Sequence, residues 1–320
     1  MRYRLKKILF KIEIIINKIY CYINKNNMEN SIAIISCDRW KNRVKEDFLL
    51  KRALNKSHIN ADIISWQDKR IDYKKYKKII IRSIWGYQDF IDEFYSWLDK
   101  INENDLVICN DISILKQNLD KEIQFNILDK YSIPHVKTDF IRGTDVVEKI
   151  KNIVGRDEYV IKPIVSGSGK NTYLLNSNKK NSISISEIQD RFFDILSNKN
   201  NGLMVQPFMK EIDNGEYSII FVNNRLLYAV RRLTSIFNDK YMVEYIDKCD
   251  LDSKLIKFCE SILKIEEYKN YFYMRIDVIK SQNNYLVMEL ELVDPDLFLC
   301  SVDKKHRNEY LDYIVEQIKK

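Results

Sequence analysis

Short apolar runs alternate with amphipathic stretches through the first third of the chain. Ser31–Ser36 is a continuous apolar run and predicts a buried parallel strand. Val44, Phe48, Leu49 and Leu54 recur at helical spacing through 44–56, and 61–66 and 78–82 read as a second and third strand. This β-α-β order predicts a small doubly wound lobe over about 30–115, which takes ligands beyond the carboxyl ends of its strands. Asp38 and Arg39 follow the first strand there, and 82–87 follow the third. Arg82 is the candidate contact for a substrate carboxylate, because a guanidinium meets a carboxylate through two parallel hydrogen bonds. A structural arginine paired with a local acid fits the residue equally well.

Beyond this lobe the pattern predicts a helix over Lys121–Lys130, a strand over 135–141 and a helix over 144–152. A polar run over 176–184 reads as a loop, 185–197 as a helix and 307–318 as a closing helix. The sharpest pattern lies between 275 and 291. Two strand-like segments, 275–279 and 286–291, flank a polar stretch containing Asn283-Asn284, which reads as a hairpin. Side chains alternate faces in a strand, so Glu289 and Glu291 share one face, and pairing brings Asp277 within reach of both. Arg275 shares the face of Asp277. Carboxylates so gathered repel one another unless a cation holds them, and a hard divalent ion such as Mg²⁺ fits. A solvated polar face of an antiparallel sheet is the alternative.

Residues 159–175 read as strand, small polar loop, strand. The chain has only seven glycines, and Gly167 and Gly169 are two of them. They let backbone N–H groups approach an anion, with Lys162 as a fixed positive charge alongside. The segment is not a P-loop. That motif's first glycine would fall at Ile164, Asn171 stands where Ser or Thr is needed, and a strand follows instead of a helix. An ordinary glycine-containing hairpin loop is the competing interpretation.

Composition removes other classes. The six cysteines show no Cys-x-x-Cys spacing and the three histidines are scattered, so neither a zinc site nor a disulfide framework is indicated, which fits a reducing, cytoplasmic setting. The net charge of +7 is concentrated at the start: residues 1–27 hold seven basic residues and one acid, leaving the rest near +1. A basic body suited to nucleic acid is absent. Leu5, Ile8, Leu9, Ile12, Ile15, Ile16, Ile19 and Ile23 make that segment an amphipathic helix. It could make peripheral contact with an anionic membrane, or dock on the protein itself or on a second subunit. Alternatively, translation starts at Met28.

Taken in order, these segments resemble the ATP-grasp superfamily, and within it bacterial glutathione synthetase and the ATP-grasp ligase of D-cycloserine biosynthesis. The resemblance rests on 82–87 (Arg-Ser-Ile-Trp-Gly-Tyr), Asn118 to Lys121, 133–138 (Ile-Pro-His-Val-Lys-Thr), Lys162-Pro163 with the 166–169 loop, 205–208 (Val-Gln-Pro-Phe), Gly215-Glu216, 229–232 and the two carboxylate strands. It implies an α/β protein of α+β lobes: a substrate-binding lobe over 30–117 preceding the ATP-grasp fold, a central lobe over 118–203 and a C-terminal lobe over 204–320. The segment 1–29 stands before them.

The resemblance also implies a ligase joining a small-molecule carboxylate to an amine through an acylphosphate, with release of ADP and phosphate. By the same resemblance Lys121 and Lys162 hold ATP phosphates. Ser166, Gly167, Ser168 and Gly169 cover the γ-phosphate, Gln206, Pro207 and Phe208 hold adenine, and Glu216 meets the ribose. Asp277, Glu289 and Glu291 bind two Mg²⁺ ions, with Mn²⁺ an alternative, while Arg275 and Arg231 act on the reacting groups. Glutathione synthetase carries Asn where this chain has Glu291, which weakens any transfer of its substrate. A kinase that stops at a phosphorylated product, or a nucleotide-binding protein without chemistry, would share this phosphate site.

Overall fold

Three sheets, each with its own strand order, make up the computed structural model of the protein. It describes residues 31–103, 106–143, 145–167, 169–235 and 240–320. The expected N-terminal helix over 1–27 therefore lies outside the described residues, as does Ser168.

The first sheet is parallel, in the order β2-β1-β3-β4: β1 (Ser31–Ser36), β2 (Asn60–Ser65), β3 (Lys78–Ser83) and β4 (Val107–Cys109). Both faces of β1 and β3 are covered, so their central residues, 32–35 and 79–81, are Ile and Ala alone. Helix Lys45–Lys56 turns Leu50 and Leu54 inward on one side. Helix Ile91–Glu103 turns Ile91, Phe94, Leu98 and Ile101 inward on the other.

The second sheet is antiparallel, in the order β5-β8-β6-β7: β5 (Asp139–Ile141), β6 (Tyr159–Pro163), β7 (Tyr173–Leu175) and β8 (Leu203–Pro207). The expected strand over 135–141 is shorter because His135 leaves it for a single bridge to Val287. The expected helix over 185–197 is broken into short turns, with Ile188 and Phe192 buried.

The third sheet carries the charged face. Its order is β11-β10-β9-β12-β13: β9 (Glu216–Val222), β10 (Arg225–Ser235), β11 (Lys240–Asp247), β12 (Tyr273–Ser281) and β13 (Asn284–Glu291). One face packs Ile219, Ala229, Ile276 and Leu290 against helix Ser253–Ile262. On the other face, Ile220, Tyr228 and Val230 share a core with β1 and with the closing helix Lys304–Lys319. Strand β13 is an edge, and side-chain amides cover it. Asn118 and Gln124 each donate to the Leu290 carbonyl, and they accept from Leu292 N–H and Leu290 N–H respectively. No helix among the described residues is long and apolar enough to cross a membrane.

Candidate active site

The hairpin register is set by a bulge. Val278 pairs with Val287, but Asp277 pairs with Glu289, so Met288 and Glu289 together oppose one residue of β12. Without the extra residue Asp277 would face Met288. With it, Asp277 lies opposite Glu289 and Arg275 opposite Glu291, on the face that also bears Ser218 and Glu216 of β9.

Asp277 is 1 % exposed. It accepts from Ser218 Oγ at 2.6 Å, from Arg275 Nε and Nη2 at 2.9 Å each, and from Arg232 Nη2 at 2.9 Å. Burial would raise its carboxyl, but Arg232 and Arg275 outweigh it and hold the group below the usual carboxylate range. Arg232 also pairs with Glu216 at 2.9 Å. Burial, only partly offset by Arg232, pushes Glu216 up to about 7. Phe298 places its ring 5.7 Å from both guanidinium carbons.

Glu289 meets Lys121 at 3.1 Å. Burial works to raise its carboxyl, and Lys121 and Lys162 together hold it low. Glu291 makes no ion pair among the described residues, and Arg275 and Lys121 only partly offset its burial. It accepts from the backbone N–H of Val293 at 3.2 Å and of Asp294 at 3.4 Å, and burial followed by Glu289 raises its carboxyl. Lys121 begins helix Lys121–Lys130, which Asp120 caps, and also donates to the Ser166 carbonyl at 2.7 Å. Lys162 on β6 faces this group from the second sheet. Burial pulls its ammonium below the usual value against the attraction of Glu289, and among the described residues it makes no ion pair.

The remaining expected residues lie around this face. Ser166 and Gly167 follow β6, and Gly169 takes φ of +67°, a left-handed turn that glycine adopts without cost. Gln206 is buried on β8 and donates to Thr138 Oγ1 at 2.8 Å. Pro207 ends β8, and Phe208 N–H donates to the Glu158 carbonyl while its ring lies 4.5 Å from Lys179 Nζ. Glu216 was expected at a ribose, but its carboxylate is engaged by Arg232.

Two assignments are corrected. Arg231 points to the opposite face from Asp277, as alternation along β10 requires, and pairs with Glu244 at 2.8 Å. Arg232, not Arg231, lies on the Asp277 face. Arg82 is not open to a substrate. It is 5 % exposed, donates to the Pro295 carbonyl at 2.9 Å and to Glu46 at 3.5 Å, and lies against the Tyr273 ring. Asp294 had no place in the sequence-based reading. It is buried, its Oδ2 has no hydrogen-bond partner, and burial together with Glu291 pushes its carboxyl well up. Its signal was an acid three residues after Glu291, beside Pro295.

Among the described residues, no three acidic, histidine or cysteine side chains are gathered closely enough to form a ready metal cage. The carboxylates of the face are instead interleaved with Lys121, Arg232 and Arg275. Glu289 and Glu291 remain a like-charged pair with hard oxygen donors, and a divalent ion would relieve their repulsion. A cleft of about 650 Å³ opens elsewhere, between residues 88–93, after β3 of the first sheet, and residues 191–201, before β8 of the second, and holds none of these charged residues.

Glu46 supplies a test of the burial argument away from the charged face. Burial, then Asp296, raise its carboxyl from 4.5 to about 7. A carboxyl raised on folding contributes fully below about pH 4.5, and that contribution is lost as pH rises through about 7. Glu46→Gln should therefore flatten the decline in stability across that window, removing a contribution on the order of 3 kcal/mol. Melting temperature against pH measures it in both proteins, and parallel curves would contradict it.

Residues 132–297, about half of the chain, match the ATP-grasp domain of prokaryotic glutathione synthetase, and residues 32–110 match the N-terminal domain of D-cycloserine synthetase DcsG. The chain belongs to the ATP-grasp family and is an ATP-grasp ligase. It is similar to the cycloserine biosynthesis protein DcsG of Streptomyces lavendulae, with 20% identity over 257 residues, which is 75% of this chain and 83% of that protein. The crystal structure of D-cycloserine synthetase DcsG superposes with a TM-score of 0.75 at 15% identity, over 90% of this chain and 98% of that one. D-alanine–D-alanine ligase from Bacillus anthracis, complexed with ATP, gives 0.60 at 13% identity over 90% and 96%.

Proposed function

We propose that this ligase joins a carboxylate to an amine through an acylphosphate. The observation that carries the proposal is the convergence of Lys121 and Lys162 on Glu289, beside an arginine pair held on Asp277. A carboxylate approaching a triphosphate must overcome like-charge repulsion, and fixed cations in a partly dry site lower that barrier. In this reading Lys121 and Lys162 hold ATP phosphates, the backbone around Ser166 to Gly169 covers the transferred group, and Gln206 to Phe208 line the adenine. Glu289 and Glu291, with Asp277, would hold Mg²⁺, which when bound neutralises phosphate charge.

A carboxylate oxygen attacks the γ-phosphorus, the bond to ADP breaks, and the amine then attacks the acyl carbon and expels phosphate. Arg275 and Arg232 face the group that bears charge in both steps. The similar proteins named above are ligases for cycloserine and for D-alanyl-D-alanine. The acid and amine used here are not carried over from them.

The nucleotide part is tested on Lys162→Ala. Calorimetry with Mg-ATP should show affinity weakened by about 10- to 100-fold, the scale of a charge-assisted hydrogen bond made in a water-poor site. Unchanged affinity would remove Lys162 from the phosphate site.

A further inference from the structure

We infer that Asp89 and Asp92 are positioning residues: they clamp the first lobe onto the second across the cleft between them, and so keep water from the nucleotide. This rests on the proposed phosphate role of the second lobe.

The clamp is built from the end of β3 outward. After Ser83 the chain turns at Gly86, with φ of +106°, into a short 3₁₀ helix over Tyr87–Phe90. Tyr87 is buried, its ring 5.0 Å from Phe94, which fixes the turn and directs the following side chains across the cleft. Asp89 accepts from Lys170 Nζ through both oxygens, at 2.7 and 2.6 Å. Lys170 comes just after the glycine loop. One turn on, Asp92 accepts from Asn200 at 2.7 Å and Asn198 at 3.3 Å, both from the segment leading into β8. The Gln88 amide also reaches over to Gly167, and a side chain there would push that flexible end aside.

Asp92 in the first turn of helix Ile91–Glu103 also suits that helix's dipole. The dipole accounts for neither the two amide donors from the other lobe nor the charge pair at Asp89. All these contacts bridge the same two lobes, and Gln88, Asp89, Asp92 and Asn198 among their residues line one cleft. Each is exposed and individually weak. That suits a joint that must open to exchange nucleotide, because contacts present in only one state shift the balance between states.

Charge exchange tests the clamp. Asp89→Lys alone and Lys170→Asp alone place like charges in contact, and the double exchange restores the pair. In Mg-ATP without any acid substrate, each single variant should release ADP about tenfold faster as water gains access, and the double variant should return toward the wild-type rate. Amide exchange of 86–92 and 198–201 should rise in each single variant and recover in the double. Mg-ADP affinity by calorimetry should return to within about twofold of wild type in the double variant, since neither Asp89 nor Lys170 is among the residues assigned to hold nucleotide. Single variants with wild-type ADP release and exchange, or a double variant no better than the singles, would overturn the clamp. Failure of wild-type protein to bind Mg-ADP would overturn the nucleotide reading instead, and the exchange data would still decide whether the two lobes are clamped.

Discussion

Glu289→Gln should lower Mg-ATP turnover by about 10³-fold or more while leaving the protein folded. The substitution keeps shape and removes one charge from the point where two sheets converge. Lys121 loses its partner at 3.1 Å but keeps the Ser166 carbonyl at 2.7 Å, so no ammonium is stranded. The Glu289 side chain is 24 % exposed, which limits the folding cost. The strongest of the opposing charges that tune Lys162 disappears, as does one of the three donors proposed for the metal. ADP release beside a thermal melt measures both halves of the prediction. Turnover near wild type in a folded variant would remove Glu289 from the reaction.

Arg275→Lys should lower kcat by about 10²–10³ and change the KM for ATP by less than about fivefold. Arg275 offers Nε and Nη2 in parallel to Asp277, and its third nitrogen reaches the Asp296 carbonyl at 3.4 Å. A lysine keeps the charge but cannot reproduce that fork. Asp277 retains Arg232 and Ser218, so the fold is not left with an unpaired buried carboxylate. Steady-state kinetics against ATP separate the parameters. A raised KM with kcat intact would instead assign Arg275 to ground-state nucleotide binding.

Local pattern made part of this legible. Period-two alternation put Glu289 and Glu291 on one face, and the apolar run of β1 announced a strand covered on both sides. The register of the hairpin was not legible, because the bulge at Met288 obeys packing across three strands and has no glycine to mark it. Two adjacent arginines at 231 and 232 must face opposite ways, but which one meets Asp277 depends on how β10 pairs with β9. Arg82 was misplaced for a similar reason. Its partners, Glu46 and the Pro295 carbonyl, lie 36 and 213 residues away in the chain. Asp294 was missed because a lone acid after a strand reads as a loop residue until the fold buries it.

The central claim is that a carboxylate is activated as an acylphosphate at the charged face of β9, β12 and β13. The most direct test is hydroxylamine trapping. Purified protein with Mg-ATP is screened against pooled amino acids and small carboxylic acids, and ADP and hydroxamate are measured in the same samples. The account predicts acid-dependent ADP release accompanied by hydroxamate, which would also name the acid. Acid-dependent ADP release with no hydroxamate, and a stable phosphorylated product in its place, would contradict it.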